Sequence, residues 1–212
     1  MSRITVRQAL SALADEGLIE RQQGRGTFVG KRKTRKRKPD GVTHFTGSLD
    51  ELIEMGLDTE VKMLEYNRVE ADKYEAELLQ VKTGAFVYRL KRLRMHEDKP
   101  CSLIVNYLPE EIGEQLTTGE LNSGTILRTI ESKFNYHLHE ARQQIRAELA
   151  DPYVANLLDI RVGSALLSIE RTVYTDEGNP VEFVHILHRS DIYGFSVYFK
   201  RETDEKNESG EN

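Results

Sequence analysis

A run of basic residues, KRKTRKRK at positions 31–38, divides this 212-residue chain into two parts of opposite charge. Residues 1–38 hold 11 Lys/Arg against 3 Asp/Glu, whereas the whole chain has 30 against 35 and a net charge of −5. The remaining residues are therefore acidic. Because seven basic residues in eight cannot enter a core, we expect a solvated linker at 31–41. The charge split predicts a basic module at 1–30 that meets a polyanion, joined to an acidic module with another role.

The composition excludes several classes of protein. Hydrophobic residues make up 38% and charged residues 31% of the chain, which is typical of a folded globular protein. The sequence has no apolar stretch of the roughly 20 residues that a membrane span needs, and no signal-peptide pattern. We therefore expect a cytoplasmic protein without a membrane partner. The single cysteine, Cys101, cannot form a disulfide framework or a thiolate zinc site.

The first 30 residues predict a helix followed by a small hairpin. Apolar residues recur at helical spacing between Ser2, a suitable N-cap, and Gly17, a suitable C-cap. Two short apolar runs then flank a Gly-Arg-Gly sequence at 24–26, which is typical of a turn between strands. A helix followed by a hairpin with a basic tip is the second half of a winged helix.

The side chains of this segment favour DNA as its polyanion. Arginine binds guanine edges in the major groove, threonine and glutamine supply shorter hydrogen bonds, and a glycine-flanked arginine can enter the minor groove. A solvated basic helix face is the alternative, but helix, hairpin and linker together favour DNA. The candidate contacts are Ser2, Arg3, Thr5, Arg7, Gln8, Gly24, Arg25, Gly26 and Thr27.

From residue 42 onward the pattern changes to a mixture of helices and strands. Alternating apolar residues predict strands at 61–69, 86–95, 102–108, 138–149, 165–174, 181–189 and 194–200. Helical spacing predicts helices at 48–56, 71–80, 109–116 and 125–134, and another that begins at 152. The polar residues before Pro100 and around Gly178 indicate hairpin turns. The fold class is therefore α+β with an antiparallel sheet over 42–202, and residues 203–212 read as a disordered tail.

The strand at 86–95 places charge on the same face as large apolar groups. Side chains alternate along a strand, so Leu90, Arg92 and Arg94 share one face. A buried guanidinium is costly without a partner, and the pair therefore predicts carboxylate partners or a bound anion. Arginines at a solvent-exposed strand end are the alternative. Arg171 and Glu182 lie on apolar strand faces in the same way, and Glu182 is expected to pair with an arginine or a ligand hydroxyl.

The sequence gives little indication of metal binding, cofactor binding or catalysis. His137 and His139 share a strand face, but no acidic or cysteine residue follows at metal-ligand spacing, so we expect no metal. Cys101 has no paired histidine and is not expected to be a nucleophile. Phosphate-loop, dinucleotide and nucleophile-elbow motifs do not occur, so the sequence predicts no cofactor and no enzyme.

The basic module at 1–30 resembles the recognition helix and wing of the GntR family of bacterial transcription regulators. The elements T-V-R-x-A-L, E-G-L-I and G-x-G-T-F-V occur in order between residues 5 and 29. The resemblance implies that operator DNA is a partner and that the protein is a homodimer. Winged helices of this family usually have about two more helices upstream, so the resemblance also implies that the module is truncated here.

Residues 42–202 resemble the UTRA effector domain of the HutC-type branch, which has a chorismate-lyase-like fold. The supporting motifs are RLR at 92–94, NYLP at 106–109, GNPVEF at 178–183 and RSDIY at 189–193. The resemblance implies a pocket for a small anionic metabolite, held by the two arginines, a helix N-terminus, a threonine hydroxyl and a carboxylate. The candidate effector-binding residues are Gly47, Ser48, Arg92, Arg94, Thr125, Arg171, Glu182 and His188.

This chain departs from the sugar-phosphate-sensing members of that branch at three positions. Ile104 stands where they have glutamate, Leu127 stands about where they have tyrosine, and His188 replaces another tyrosine. Fewer hydroxyl-binding groups predict a less hydroxylated anion than an amino-sugar phosphate. The resulting hypothesis is a ligand-responsive DNA-binding transcription regulator. A sensor defective in DNA binding and a chorismate-lyase-like enzyme are the alternatives.

Overall fold

The computed structural model describes residues 5–6, 9–10, 19–22, 26–29, 42–45, 49, 60–96, 98–122 and 125–197. The chain divides into two units, Met1–Asp40 and Gly41–Asn212. The predicted linker at 31–41 and the predicted tail at 203–212 lie outside the described residues, as does the predicted helix at 48–56 apart from Leu49, which is helical.

The first unit contains the predicted hairpin. Strand β1 (Ile19–Gln22) pairs antiparallel with β2 (Gly26–Val29), and Gln22 lies opposite Gly26. Gly26 has a φ of 113°, a conformation that only glycine adopts without strain, so a glycine is required where the turn meets β2. The described residues of the predicted N-terminal helix, Thr5, Val6, Ala9 and Leu10, are helical.

The second unit is built on one six-stranded antiparallel sheet. Its strand order is β4-β5-β6-β9-β8-β7, and β10 pairs in parallel with β3 in a separate two-stranded sheet. The strands are β3 (Val42–Phe45), β4 (Val61–Glu70), β5 (Phe86–His96), β6 (Lys99–Pro109), β7 (Leu138–Leu149), β8 (Ala165–Thr175), β9 (Pro180–Arg189) and β10 (Gly194–Val197). The sequence pattern did not predict β3.

Among the described residues, five short helices with complete bounds connect these strands. They are α1 (Lys73–Leu78), α2 (Glu110–Gly113), α3 (Thr118–Leu121), α4 (Ile126–Phe134) and α5 (Pro152–Leu158). Within the described ranges, none is long and apolar enough to cross a membrane.

Helix caps explain where the predicted helix bounds were wrong. The predicted helix at 71–80 is only Lys73–Leu78, because the Asp72 carboxylate accepts hydrogen bonds from the Tyr74 and Glu75 amides and fixes the N-terminus. The predicted helix at 109–116 ends at Gly113. Thr117 and Glu120 then form a capping box that starts α3, a helix that the sequence pattern did not predict.

Helices pack on both faces of the sheet. On one face, α5 packs through Leu158 against Leu166 and Leu187, while α1 covers Val87 and Phe183. On the other face, a larger apolar cluster joins α2, α3 and α4 to the sheet, and its members include Leu90, Leu108, Leu121, Ile130 and Val173. The second face, which we call the arginine face, also carries the candidate site.

Candidate functional site

Strand register brings the predicted site residues together on the arginine face. Arg92 lies opposite Ile104 and Arg94 lies opposite Ser102 across the β5–β6 pair. Ser102 in turn lies opposite His188 across the β6–β9 pair. Directly opposed residues share a face of an antiparallel sheet, so β5, β6 and β9 contribute to one surface.

The same register adds β8 to this surface. Arg171 lies opposite Val184, and Val173 lies opposite Glu182. The predicted alternation in β5, β8 and β9 is therefore confirmed. The charges of Arg92 and Arg171 act on the Glu182 carboxylate. Arg94 lies within electrostatic range of both arginines.

A buried chain of hydrogen bonds links Arg92 to Glu182 through Asn106. The Arg92 guanidinium donates to Asn106 Oδ1 at 3.2 Å, and Asn106 Nδ2 donates to Glu182 Oε1 at 2.6 Å. All three residues are at most 3% exposed. Arg92 also donates to the Leu121 carbonyl oxygen at 3.1 Å, which attaches α3 to the site. Asn106, rather than an arginine, is the hydrogen-bond partner that the described residues offer to Glu182.

Burial shifts the pKa of each ionisable group at this site in the direction that favours its neutral form. It lowers the pKa of Arg92 to about 10, which leaves the guanidinium charged at neutral pH. Burial raises the pKa of Glu182, and the positive charges of Arg171 and Arg92 and the Asn106 hydrogen bond oppose this shift. Burial also lowers the pKa of Arg94 and of Arg171.

Glu182 Oε2, an acceptor, and Arg171 Nε, a donor, are buried without a hydrogen-bond partner among the described residues. Buried polar groups are nearly always hydrogen-bonded in folded proteins, and an unsatisfied one costs about 1–3 kcal/mol. The two atoms therefore mark a place where a ligand would gain hydrogen bonds.

His188 is held as a neutral imidazole at the other end of the site. Its Nδ1 lies 2.6 Å from Ser102 Oγ, and its ring stacks on Tyr193 with centroids 3.7 Å apart. Burial lowers the pKa of His188 to about 3, with further contributions from the charges of Arg94 and Arg171. The neutral imidazole can therefore donate or accept a hydrogen bond without adding positive charge to the site.

The other predicted residues fall in different places. Thr125 is the N-cap of α4, where its hydroxyl accepts a hydrogen bond from the Leu127 amide at 3.4 Å. Thr5 is exposed and helical, and Gly26 and Thr27 are exposed at the start of β2. The remaining candidates lie outside the described residues: Ser2, Arg3, Arg7, Gln8, Gly24, Arg25, Gly47 and Ser48.

Sequence reasoning did not assign a role to Asn106, Ser102 or Tyr193. Strand alternation could have found the first two, because Asn106 and Ser102 share the face of Ile104 in β6. Tyr193 lies between the turn after β9 and the start of β10, where alternation gives no signal.

Two of the departures from the sugar-phosphate-sensing pattern lie in apolar clusters. Ile104 packs with Ile169, Val184 and Ile186, and it is 2% exposed. Leu127 belongs to the cluster under α4 and is 1% exposed. Both side chains supply packing where a glutamate or tyrosine would supply hydrogen bonds.

The described residues contain no group of three or more His, Cys, Asp or Glu side chains that could hold a metal ion. Cys101 is buried, and its sulfur contacts the Arg94 carbonyl oxygen at 3.3 Å.

Two protein-family models match the chain. The model of the UTRA domain matches residues 54–194, and that of the bacterial regulatory proteins of the gntR family matches residues 1–29. The chain belongs to the GntR family, in the branch that carries a UTRA domain. Its relatives are transcription regulators, so it is a ligand-responsive, DNA-binding transcription regulator and not an enzyme.

Individual relatives agree with this assignment. The chain is 31% identical to the HTH-type transcriptional repressor NagR of Bacillus subtilis over 95% of its own length and 81% of that protein. It is 32% identical to the HTH-type transcriptional regulator Rv0792c of Mycobacterium tuberculosis, over 95% and 73% of the two chains. YydK of Bacillus subtilis has the same fold, with a TM-score of 0.67 and 20% identity over 94% of this chain and 84% of that one. The predicted α+β class with an antiparallel sheet is confirmed.

Proposed function

We propose that this regulator binds a small anionic metabolite on the arginine face, and that binding changes its affinity for operator DNA. The observation that carries the proposal is the pair of buried atoms without partners among the described residues, Arg171 Nε and Glu182 Oε2. A ligand that accepts a hydrogen bond from Arg171 and donates one to Glu182 removes both desolvation costs.

The charges of the site indicate the class of ligand. Arg92, Arg94 and Arg171 outnumber Glu182, and guanidinium groups bind phosphate and carboxylate with paired hydrogen bonds. The Glu182 oxygen requires a hydroxyl or amine donor on the same ligand. Since Ile104 supplies only apolar contact, the ligand carries fewer hydroxyls than an amino-sugar phosphate.

A thermal-shift titration of the full chain tests the effector site. The probes are phosphate and carboxylate metabolites, with inorganic phosphate and one amino-sugar phosphate included. A ligand at about 100 times its dissociation constant adds about 2.7 kcal/mol of stability. Arg171→Gln should abolish the shift, whereas Arg68→Gln should retain it, because Arg68 is an exposed arginine of β4 that pairs with Glu110.

Three results would contradict parts of this proposal. A shift that survives Arg171→Gln would place the effector elsewhere. No shift with any probe would contradict an effector of this class. Tight binding of the amino-sugar phosphate alone would overturn the expectation of a less hydroxylated ligand.

The proposed DNA contacts come from the first unit. We expect a homodimer that binds a pseudo-palindromic operator in the bacterial cytoplasm, where the DNA lies. Arg7→Ala should cost about 1–3 kcal/mol of operator affinity in a fluorescence-anisotropy titration. Lys36→Ala, in the linker at 31–41, should weaken binding to operator DNA and to unrelated DNA equally. Equal losses for the two variants on both DNAs would contradict base contact by Arg7.

A short path within the second unit supports coupling between effector and DNA. Tyr193 stacks on His188, and β10 begins at the next residue. Strand β10 pairs with β3, which begins at Val42, just after the predicted linker at 31–41. In this proposal, a ligand that displaces the His188–Tyr193 pair shifts the population of β3 arrangements and thereby of the DNA modules. Tyr193→Ala should reduce the effect of ligand on operator affinity, and an unchanged effect would exclude this path.

A further inference from the structure

A side-chain amide stands between two opposite charges in the buried part of the site. Asn106 Oδ1 accepts a hydrogen bond from the Arg92 guanidinium at 3.2 Å, and Asn106 Nδ2 donates to Glu182 Oε1 at 2.6 Å. In the part of the chain that the structure describes, Asn106 is the one hydrogen-bond partner of Glu182, and no direct ion pair joins this carboxylate to an arginine. Glu182 Oε2 is buried and has no partner among the same residues.

The chemistry of the three groups determines how the Asn106 amide is oriented. A guanidinium only donates hydrogen bonds and an ionised carboxylate only accepts them, so Oδ1 faces Arg92 and Nδ2 faces Glu182. The backbone of Asn106 lies inside the sheet, between Leu90 of β5 and Val184 of β9. The residue is 2% exposed, so packing holds the side chain in place. Asn106 therefore presents a fixed donor to Glu182 Oε1.

The hydrogen bond from Asn106 also favours the ionised form of Glu182. Burial raises the pKa of this carboxyl group, whereas the charges of Arg171 and Arg92 and the Asn106 hydrogen bond lower it. Arg92 belongs to β5 and Arg171 to β8, and these are the charged groups that face Glu182 from the neighbouring strands. An ionised carboxylate accepts hydrogen bonds at both oxygens, whereas a protonated one donates at one of them. The state of Glu182 therefore decides whether Oε2 can accept a hydrogen bond from a ligand.

We propose that Asn106 is a positioning residue for effector binding, which holds Glu182 through Oε1 so that Oε2 accepts a hydrogen bond from the ligand. The inference rests on the proposed effector site and adds the residue that makes Glu182 an acceptor there. Arg171 Nε, a buried donor, belongs to a guanidinium whose charge acts on the same carboxylate. A short anion that also carries an ammonium or hydroxyl group fits both atoms.

Isothermal titration calorimetry with a matched pair of probes tests the role of Asn106. O-phosphoethanolamine and propyl phosphate share the phosphate and the chain length, but the first ends in an ammonium group and the second in a methyl group. The full chain should prefer O-phosphoethanolamine by a factor of about ten or more, because only the ammonium group can donate to Glu182 Oε2. Asn106→Ala should remove most of this preference and change the affinity for propyl phosphate by less than about threefold.

Further variants separate positioning from a purely structural role. Asn106→Leu retains the volume of the side chain, so it should repeat the result of Asn106→Ala if the smaller residue impairs folding. Glu182→Gln should also remove the preference, and adding Asn106→Ala should remove no more of it, because Asn106 acts through Glu182. Asn156→Ala is the matched control, at an exposed position of α5 on the other face of the sheet, and should leave both affinities unchanged.

A titration of the Glu182 carboxyl group by carbon-detected NMR tests the same contact without ligand. Asn106→Ala should raise the pKa of Glu182 above its value in the wild-type chain, because the donor to Oε1 is lost. An unchanged or lowered pKa would overturn the inference, and so would equal losses of affinity for the two probes in Asn106→Ala. Equal binding of both probes by the wild-type chain would exclude Glu182 Oε2 as their acceptor. If neither probe binds, the proposed effector class fails, and the carboxyl titration separately decides whether Asn106 holds Glu182 as an acceptor.

Discussion

His188→Asn should make the protein less sensitive to acid. In the folded chain His188 is a buried neutral imidazole, whose Nδ1 lies against Ser102 Oγ and whose ring stacks on Tyr193. Burial and the charges of Arg94 and Arg171 lower its pKa from 6.5 to about 3. Asparagine offers a polar group at a similar distance from the backbone but does not titrate, so the acid-dependent cost disappears while the hydrogen bond to Ser102 can be kept.

The sign and size of the effect follow from proton linkage. The unfolded imidazole binds a proton below about pH 6.5 and the folded one does not until about pH 3, so the unfolded state gains protons first as the pH falls. Stability contributed by His188 is therefore complete above pH 6.5 and is lost between pH 6.5 and 3. At about pH 4.5, two pH units below the unfolded pKa, the loss is about 3 kcal/mol.

Urea unfolding at pH 7 and pH 4.5, followed by far-UV circular dichroism, measures this loss; the chain has no tryptophan for fluorescence. The wild-type chain should lose about 3 kcal/mol more between the two pH values than His188→Asn does. The raised pKa of Glu182 acts with the opposite sign, but it is present in both proteins and cancels in the comparison. Equal losses in the two proteins, or an NMR titration of His188 near pH 6.5, would refute the reasoning.

Two further substitutions test the packing around the site. Asn106→Ala should destabilise the fold by about 1–3 kcal/mol in urea unfolding, because it leaves Glu182 Oε1 buried without its donor. Unchanged stability would mean that water replaces the Asn106 amide. Gly113→Ala should also destabilise the fold, because the new Cβ would overlap the Tyr88 side chain. Gly119→Ala meets no atom within 4 Å and should be neutral or stabilising by up to about 1 kcal/mol in a helix. Equal thermal midpoints for the two glycine variants would contradict the close approach at Gly113.

Much of the local structure could be predicted because it depends on neighbours in the sequence. The strand at 138–149 was predicted with the bounds that the structure has, and so was the arrangement of Arg92 and Arg94 on the face of Leu90. Helix bounds were less predictable. The start of α1 is set by the Asp72 cap on the Tyr74 and Glu75 amides, whereas the helix at 71–80 was predicted from apolar spacing.

The sequence by itself determined the charge division, the family and the faces on which the site residues lie, because strand alternation and short motifs are local properties. The tertiary structure alone decided which of these residues meet. Ser102 and His188 are 86 positions apart, and Asn106 and Glu182 are 76 positions apart. Their contacts exist because β9 inserts between β6 and β8. The order of strands in a sheet is set by the packing of the whole domain, so the Asn106 link between Arg92 and Glu182 could not be read from the sequence.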